Sequence, residues 1–126
     1  GNDLKKLTIL VQSFSYKHGL PRNLDMVFDC RFLKNPYWQG KLRDLDGNSD
    51  LIKDYVMGLP VFDEFLKNAI PMLEFLIPLY EKEGKIEFSI GLGCTGGKHR
   101  SVVVANELTK VLQGMDNKVF VKHRDL

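Results

Sequence analysis

Gly91-Leu-Gly-Cys-Thr-Gly-Gly-Lys-His-Arg-Ser101 is the stretch from which the fold of this chain is read. It follows an apolar run from Ile86 to Ile90 and leads into Val102, Val103, Val104, Ala105 and Leu108, which recur as a helix would bury them. A glycine-rich turn between a strand and a helix exposes backbone N–H groups at the positive end of the helix dipole, a preformed seat for an anion. Lys98, His99 and Arg100 add side-chain cations to it. The chemistry this loop suits best is holding a phosphate.

Working outward, Lys6 to Gln12 reads as a first strand, Ser13 to Leu24 as a loop or short turn, and Asp25 to Asp29 as a second strand. Asn35-Pro36 ends the segment begun at Cys30, and Tyr37 to Asn48 reads as loop. Ser49 or Asp50 can cap a short helix over Leu51 to Val56, closed by Gly58. Pro60 opens a long helix to about Lys82, with Gly84 at its end. Pro71 and Pro78 lie inside it, where a proline costs ~3 kcal/mol or more. They share a polar face with Lys67 and Glu74, the residues whose carbonyls lose a partner, so water can satisfy those carbonyls and one bent helix is expected. Lys85 to Gly93 is the third strand, a helix runs from about Lys98 to Gln113, and Lys118 to Lys122 alternates as a half-buried fourth strand. Strands separated by helices or long crossovers predict an α/β domain with a mainly parallel sheet of four strands or slightly more, helices packed on it.

With 126 residues, 44% hydrophobic and 27% charged, the chain makes one globular domain, expected over residues 3–126. No apolar run approaches the ~20 residues of a membrane span, because Pro71, Glu74 and Pro78 break the best candidate. Eighteen basic against sixteen acidic residues give a net charge of +2, too little to argue nucleic acid. Two cysteines, Cys30 and Cys94, make no disulfide framework and point to a reducing cytoplasm. No Cys or His pair has metal-ligand spacing, so no metal site is expected.

Ligands of a parallel sheet bind beyond the carboxyl ends of its strands. There the sequence gathers Ser13, Phe14, Tyr16, Lys17 and His18, then Asp29, Arg31, Asn35, Tyr37 and Trp38, then the glycine loop, then His123, Arg124 and Asp125. All three histidines fall on this edge. Tyr37 and Trp38 read more simply as a cover for the sheet edge, and Cys30 as a small buried residue.

Three versions of the loop compete. As a Walker A motif it fails, because Gly97 intrudes before Lys98 and His99 stands where Ser or Thr should hold magnesium. As the cysteine-phosphatase signature C-x5-R-[ST] it matches at Cys94, Arg100 and Ser101, with Cys94 the nucleophile and Arg100 the phosphoryl clamp. Gly93 replaces the usual preceding His, and no general acid is evident beyond Asp29 and Asp125. The third version is a binding loop without chemistry, in which amides, Thr95, Arg100 and Ser101 grip a phosphate and His99 tunes affinity with pH.

Several longer stretches occur in a set order: Val11-Gln-Ser-Phe-Ser-Tyr-Lys-His-Gly-Leu-Pro21, Val27-Phe-Asp-Cys-Arg-Phe-Leu-Lys-Asn-Pro-Tyr-Trp38, Asp54-Tyr-Val56, Leu76-Ile-Pro-Leu-Tyr80, Gly93 to Ser101 and Val121-Lys-His-Arg-Asp125. Together they resemble the C-terminal domain of the RapZ (YvcJ-like) family of bacterial nucleotide-binding proteins and RNase adapters. The resemblance implies a fold like a phosphofructokinase subdomain and a sensor of glucosamine-6-phosphate. It further implies a domain that binds a small RNA and presents it to a ribonuclease, or meets another regulatory protein. It implies that Thr95, Gly96, Gly97, Lys98, His99, Arg100 and Ser101, with Ser13, Lys17, Asp29, Arg31 and Asn35, line a phosphosugar-type pocket. Family members usually carry an N-terminal P-loop domain for ATP or GTP, so no cofactor is expected in this domain itself. Lys5, Lys6, Lys110, Lys118, Lys122 and Arg124 read equally as a basic patch or as solvated edges. Self-association stays open.

Overall fold

A computed structural model of the chain describes residues 6–126. Lys5 and the first residues of the expected 3–126 unit lie outside the described residues. The order of elements is β1 (Thr8–Ser15), β2 (Met26–Asp29), α1 (Asp50–Met57), α2 (Pro60–Lys82), β3 (Glu87–Cys94), α3 (Arg100–Gly114) and β4 (Lys118–His123). Two short 3-10 turns, Tyr16–His18 and Pro36–Trp38, fall in stretches expected as loop. The four strands make one all-parallel sheet in the order β2-β3-β1-β4. The expected fold class is therefore the observed one.

Strand β1 runs three residues further than the hydrophobic pattern indicates. It lies between β3 and β4, paired from Thr8↔Glu87 to Ser15↔Cys94 on one side and from Thr8↔Lys118 to Ser13↔His123 on the other. Both ladders keep its backbone bonded, and the polar side chains find partners of their own: Ser13 Oγ meets His123 Nδ1 at 2.7 Å and Ser15 Oγ donates to Thr95 O at 2.6 Å. Hydroxyls satisfied in this way can be buried in a strand at little net cost. Ser13 is thus in the sheet, not in the loop after it.

Ile9 and Val11 of β1 and Phe88, Ile90 and Leu92 of β3 join Ile52 and Val56 of α1, Phe62, Leu73 and Ile77 of α2, and Val104 and Leu108 of α3 in one core. Helix α2 is continuous through Pro71 and Pro78, and both prolines, with Lys67 and Glu74, lie on its outward side as the pattern required. At β4 the expected alternation weakens: Val119 is buried, but Phe120 and Val121 are 53% and 40% exposed, because this strand has a neighbour on one side alone. Helix α3 begins two residues later than expected, which leaves Lys98 and His99 in the loop.

Candidate functional site

The loop between β3 and α3 is held in shape by Gly97. Its φ is +67°, and a Cβ there would sit 2.8 Å from the backbone nitrogen of Ser15 and 3.0 Å from the carbonyl carbon of Phe14. Only glycine lets the loop pass this close to β1 in that conformation. Ser15 Oγ–Thr95 O ties the same two segments together. Among the described residues, the amide N–H groups of Thr95, Gly96, Gly97, Lys98, His99 and Arg100 donate to no protein acceptor. His99 stands at the N-cap position of α3 and makes no side-chain cap bond. A helix start with its amides unspent and its cap position unused is what an anion seat requires.

A cleft of about 780 Å³ opens onto this loop. Of the residues expected in the site, it is lined by Thr95, Gly96, Lys98, His99, Lys17 and Asn35. It is also lined by His18, Tyr37 and Trp38, which the sequence gathers on this edge without placing them in the pocket, and by Ser15, Arg43 and Asp44, which it does not single out. Asn35 Oδ1 accepts the amide of Tyr37 at 3.0 Å and so starts the 3-10 turn that carries Tyr37 and Trp38. Their rings are 5.1 Å apart, edge to face, and the Arg43 guanidinium lies 4.7 Å from the Tyr37 centroid. Trp38 is 74% exposed, so it does not seal the sheet edge.

Arg43 and Asp44 are brought to the cleft by contacts no local pattern foretells. His99 Nε2 donates to the carbonyls of Leu45 and Arg43, and the amide of Gly47 donates to Lys98 O at 2.7 Å. Gly47 permits this approach, since a Cβ would meet His99 O at 2.7 Å. His99 thereby braces the 43–47 loop against the glycine loop.

The remaining expected residues do not line the cleft. Arg100 is 5% exposed; its Nη1 donates to the carbonyls of Leu33 (2.9 Å) and Arg31 (3.1 Å), its Nη2 to Thr95 Oγ1 (3.3 Å), and its buried Nε has no partner. It fastens the 31–33 segment beneath the loop. Asp29 and Arg31 form a two-pronged pair, with Nη2–Oδ2 at 2.6 Å and Nε–Oδ1 at 2.9 Å, and Arg31 lies 4.0 Å above the Tyr16 ring. That hydrogen-bonded guanidinium holds the Asp29 carboxyl below its ordinary range, against the effect of burial. Ser13 is wholly buried on His123, whose Nε2 donates to Asn106 Oδ1 at 2.9 Å, and burial holds that imidazole below its ordinary value against the pull of Asp46. Ser101 Oγ is 3.1 Å from Cys94 Sγ, and Cys94 is 2% exposed. With its thiol enclosed and Arg100 turned to protein carbonyls, the loop offers no geometric support for the phosphatase reading. Among the described residues no group of three or more His, Cys, Asp or Glu is arranged to hold a metal ion, and no helix is long and apolar enough to cross a membrane.

Comparison with known proteins matches this chain to a family. The chain is 53% identical over 120 residues to a nucleotide-binding protein of Finegoldia magna, covering 95% of this chain and 42% of that protein. It is 50% identical over 124 residues to one from Dinoroseobacter shibae, covering 98% and 41%, and 49% identical over 126 residues to one from Caldanaerobacter subterraneus subsp. tengcongensis, covering 100% and 44%. The chain thus spans about two fifths of the length of the curated relatives it matches. A family model described as the RapZ C-terminal domain matches residues 7–126, from the first residue of the core to the last of the chain, and this protein belongs to that family.

Proposed function

We propose that this domain is a non-enzymatic regulatory module that takes a phosphorylated metabolite, an amino-sugar phosphate such as glucosamine-6-phosphate, in the cleft at the glycine loop. The observation that carries the reading is the run of unspent amides from Thr95 to Arg100 at the start of α3, beside a cleft of about 780 Å³ that Thr95, Gly96, Lys98 and His99 line. A phosphate dianion gains charge-assisted hydrogen bonds from such amides, and the cleft volume falls in the range of small-molecule sites. The aromatic pair at Tyr37 and Trp38 and the polar groups around it offer a face and partners to a sugar ring. Arg100 supports the seat from below and holds the loop in place.

The relatives are named nucleotide-binding proteins, yet this chain covers about two fifths of them and its glycine loop departs from Walker A. We assign nucleotide binding in those proteins to the part this chain does not span, and coupling to RNA or a ribonuclease to the whole protein. Two free, buried cysteines suit a reducing cytoplasm.

Calorimetry with inorganic phosphate and glucosamine-6-phosphate tests the assignment, together with amide NMR shifts across residues 95–100. Lys98 is exposed and makes no side-chain bond among the described residues, so Lys98→Glu should leave the fold alone. It should weaken both ligands at least tenfold, the scale of a like charge brought beside a bound dianion. Undiminished affinity in that variant, with amide shifts confined to other segments, overturns the reading.

A further inference from the structure

The residues after β4 pack along the end of β1, whose continuation through Ser15, Lys17 and His18 lines the cleft. The Arg124 amide donates to Ser13 O at 3.1 Å, and Arg124 Nη2 donates to Gly19 O at 2.7 Å and to Asp125 Oδ2 at 2.8 Å. Asp125 Oδ2 also accepts the Ser15 amide at 2.6 Å. Its other oxygen, Oδ1, lies 3.3 Å from His18 Nδ1. The carboxylate is 11% exposed, whereas the His18 side chain is 66% exposed and lines the cleft. One oxygen is therefore locked by backbone and guanidinium, and that lock aims the other at the imidazole.

We propose that Asp125 is a positioning residue for ligand recognition, holding His18 in the Nδ1–H form so that Nε2 offers a lone pair to a ligand hydroxyl. The inference rests on the cleft being a phosphometabolite site. The negative charge of Asp125 Oδ1, 3.3 Å from Nδ1, favours the proton on that nitrogen, and in a neutral imidazole the other nitrogen is then an acceptor. The distance from His18 to the anion seat is set by the same scaffold. Ser15 receives Asp125 at its amide, accepts the Lys17 amide at Oγ (3.1 Å) and donates from Oγ to Thr95 O. His18 and the glycine loop line one cleft, so a phosphorylated sugar would engage both and inorganic phosphate the seat alone.

That difference makes the test. Wild type, Asp125→Ala, Asp125→Asn and His18→Ala are titrated with inorganic phosphate and with glucosamine-6-phosphate, and the His18 ring tautomer is read by 15N NMR at about pH 8, where free imidazole is neutral. Wild type should show the Nδ1–H form. Asp125→Ala should lose it and weaken glucosamine-6-phosphate about five- to tenfold, the size of one hydrogen bond, with inorganic phosphate held within about twofold by a seat that the Ser15 Oγ–Thr95 O bond still ties to β1. His18→Ala should match it, and so should Asp125→Asn, whose single acceptor oxygen is claimed by the Ser15 amide and Arg124 and whose NH2 then faces His18. Equal weakening of both ligands in Asp125→Ala, or an Nε2–H ring in wild type, overturns the assignment while leaving the phosphate seat standing. Failure of wild type to bind either ligand removes the seat and this inference together.

Discussion

Alanine at Gly97 would place a methyl group 2.8 Å from the backbone nitrogen of Ser15 and 3.0 Å from Phe14 C, in a residue whose φ is +67°. The conformation alone costs a non-glycine residue roughly 1–2 kcal/mol. The contact adds to this, because the atoms struck belong to the backbone of β1, which there is laddered to β3 through Ser15↔Cys94 and held on its other side by the Ser15 amide's bond to Asp125. Overpacking of that kind costs about 1–3 kcal/mol. Gly97→Ala should therefore lose about 2–5 kcal/mol, a drop in Tm on the order of 10 °C. The neighbouring Gly96 supplies the control: no atom lies within 4 Å of a Cβ built there. Gly96→Ala should move stability by at most about 1 kcal/mol in either direction. Urea melts of the two variants and wild type, run in parallel, decide the matter. If the two alanine variants melt together, the close passage of the loop over β1 is not what fixes its shape.

Arg100→Ala strips partners from a buried carbonyl at Leu33 and a part-buried one at Arg31, and it should lose about 1–3 kcal/mol in a urea melt as well as ligand affinity; affinity lost at wild-type stability would contradict its bracing role. Turnover of a chromogenic aryl phosphate should be absent in wild type and in Cys94→Ser alike, whereas cysteine-dependent turnover would revive the phosphatase reading. Acid should erode stability in two stages, because both His123 and Asp125 sit below their ordinary values, 6.5 and 3.8. Burial lowers His123; at Asp125 burial works the other way and is outweighed by Arg124 and the Ser15 amide. A depressed group stabilises fully above its unfolded value and loses that contribution as pH falls through the folded one. Urea melts from pH 7.5 downward should thus show a loss beginning near pH 6.5 that His123→Gln removes, and stability rising between those limits would refute it. RNA held by the basic edges would be released by salt with a slope set by the phosphates contacted; retention indifferent to salt would remove that role.

Residues near one another along the chain were enough for the strand–glycine loop–helix unit, the parallel class of the sheet and the continuity of α2 through two prolines. Each depends on periodicity, on turn chemistry or on which face a proline occupies, and these are properties of short windows. The long ordered stretches from Val11 to Asp125 were likewise enough for the family. The walls of the cleft were another matter. Arg43 and Asp44 arrive through bonds from Lys98 and His99, more than fifty positions away, and their own segment has no periodicity to read. Arg100 looked like a phosphate clamp because the spacing from Cys94 fits one, yet carbonyls from the 31–33 segment, brought by the packing of β2 beside β3, claim its guanidinium. Asp125 became a neighbour of His18 only when β4 paired with β1 and carried the end of the chain to the start of the first turn. A side chain's role depends on which acceptors lie within about 3 Å of it, and for these residues only the folded arrangement supplies them.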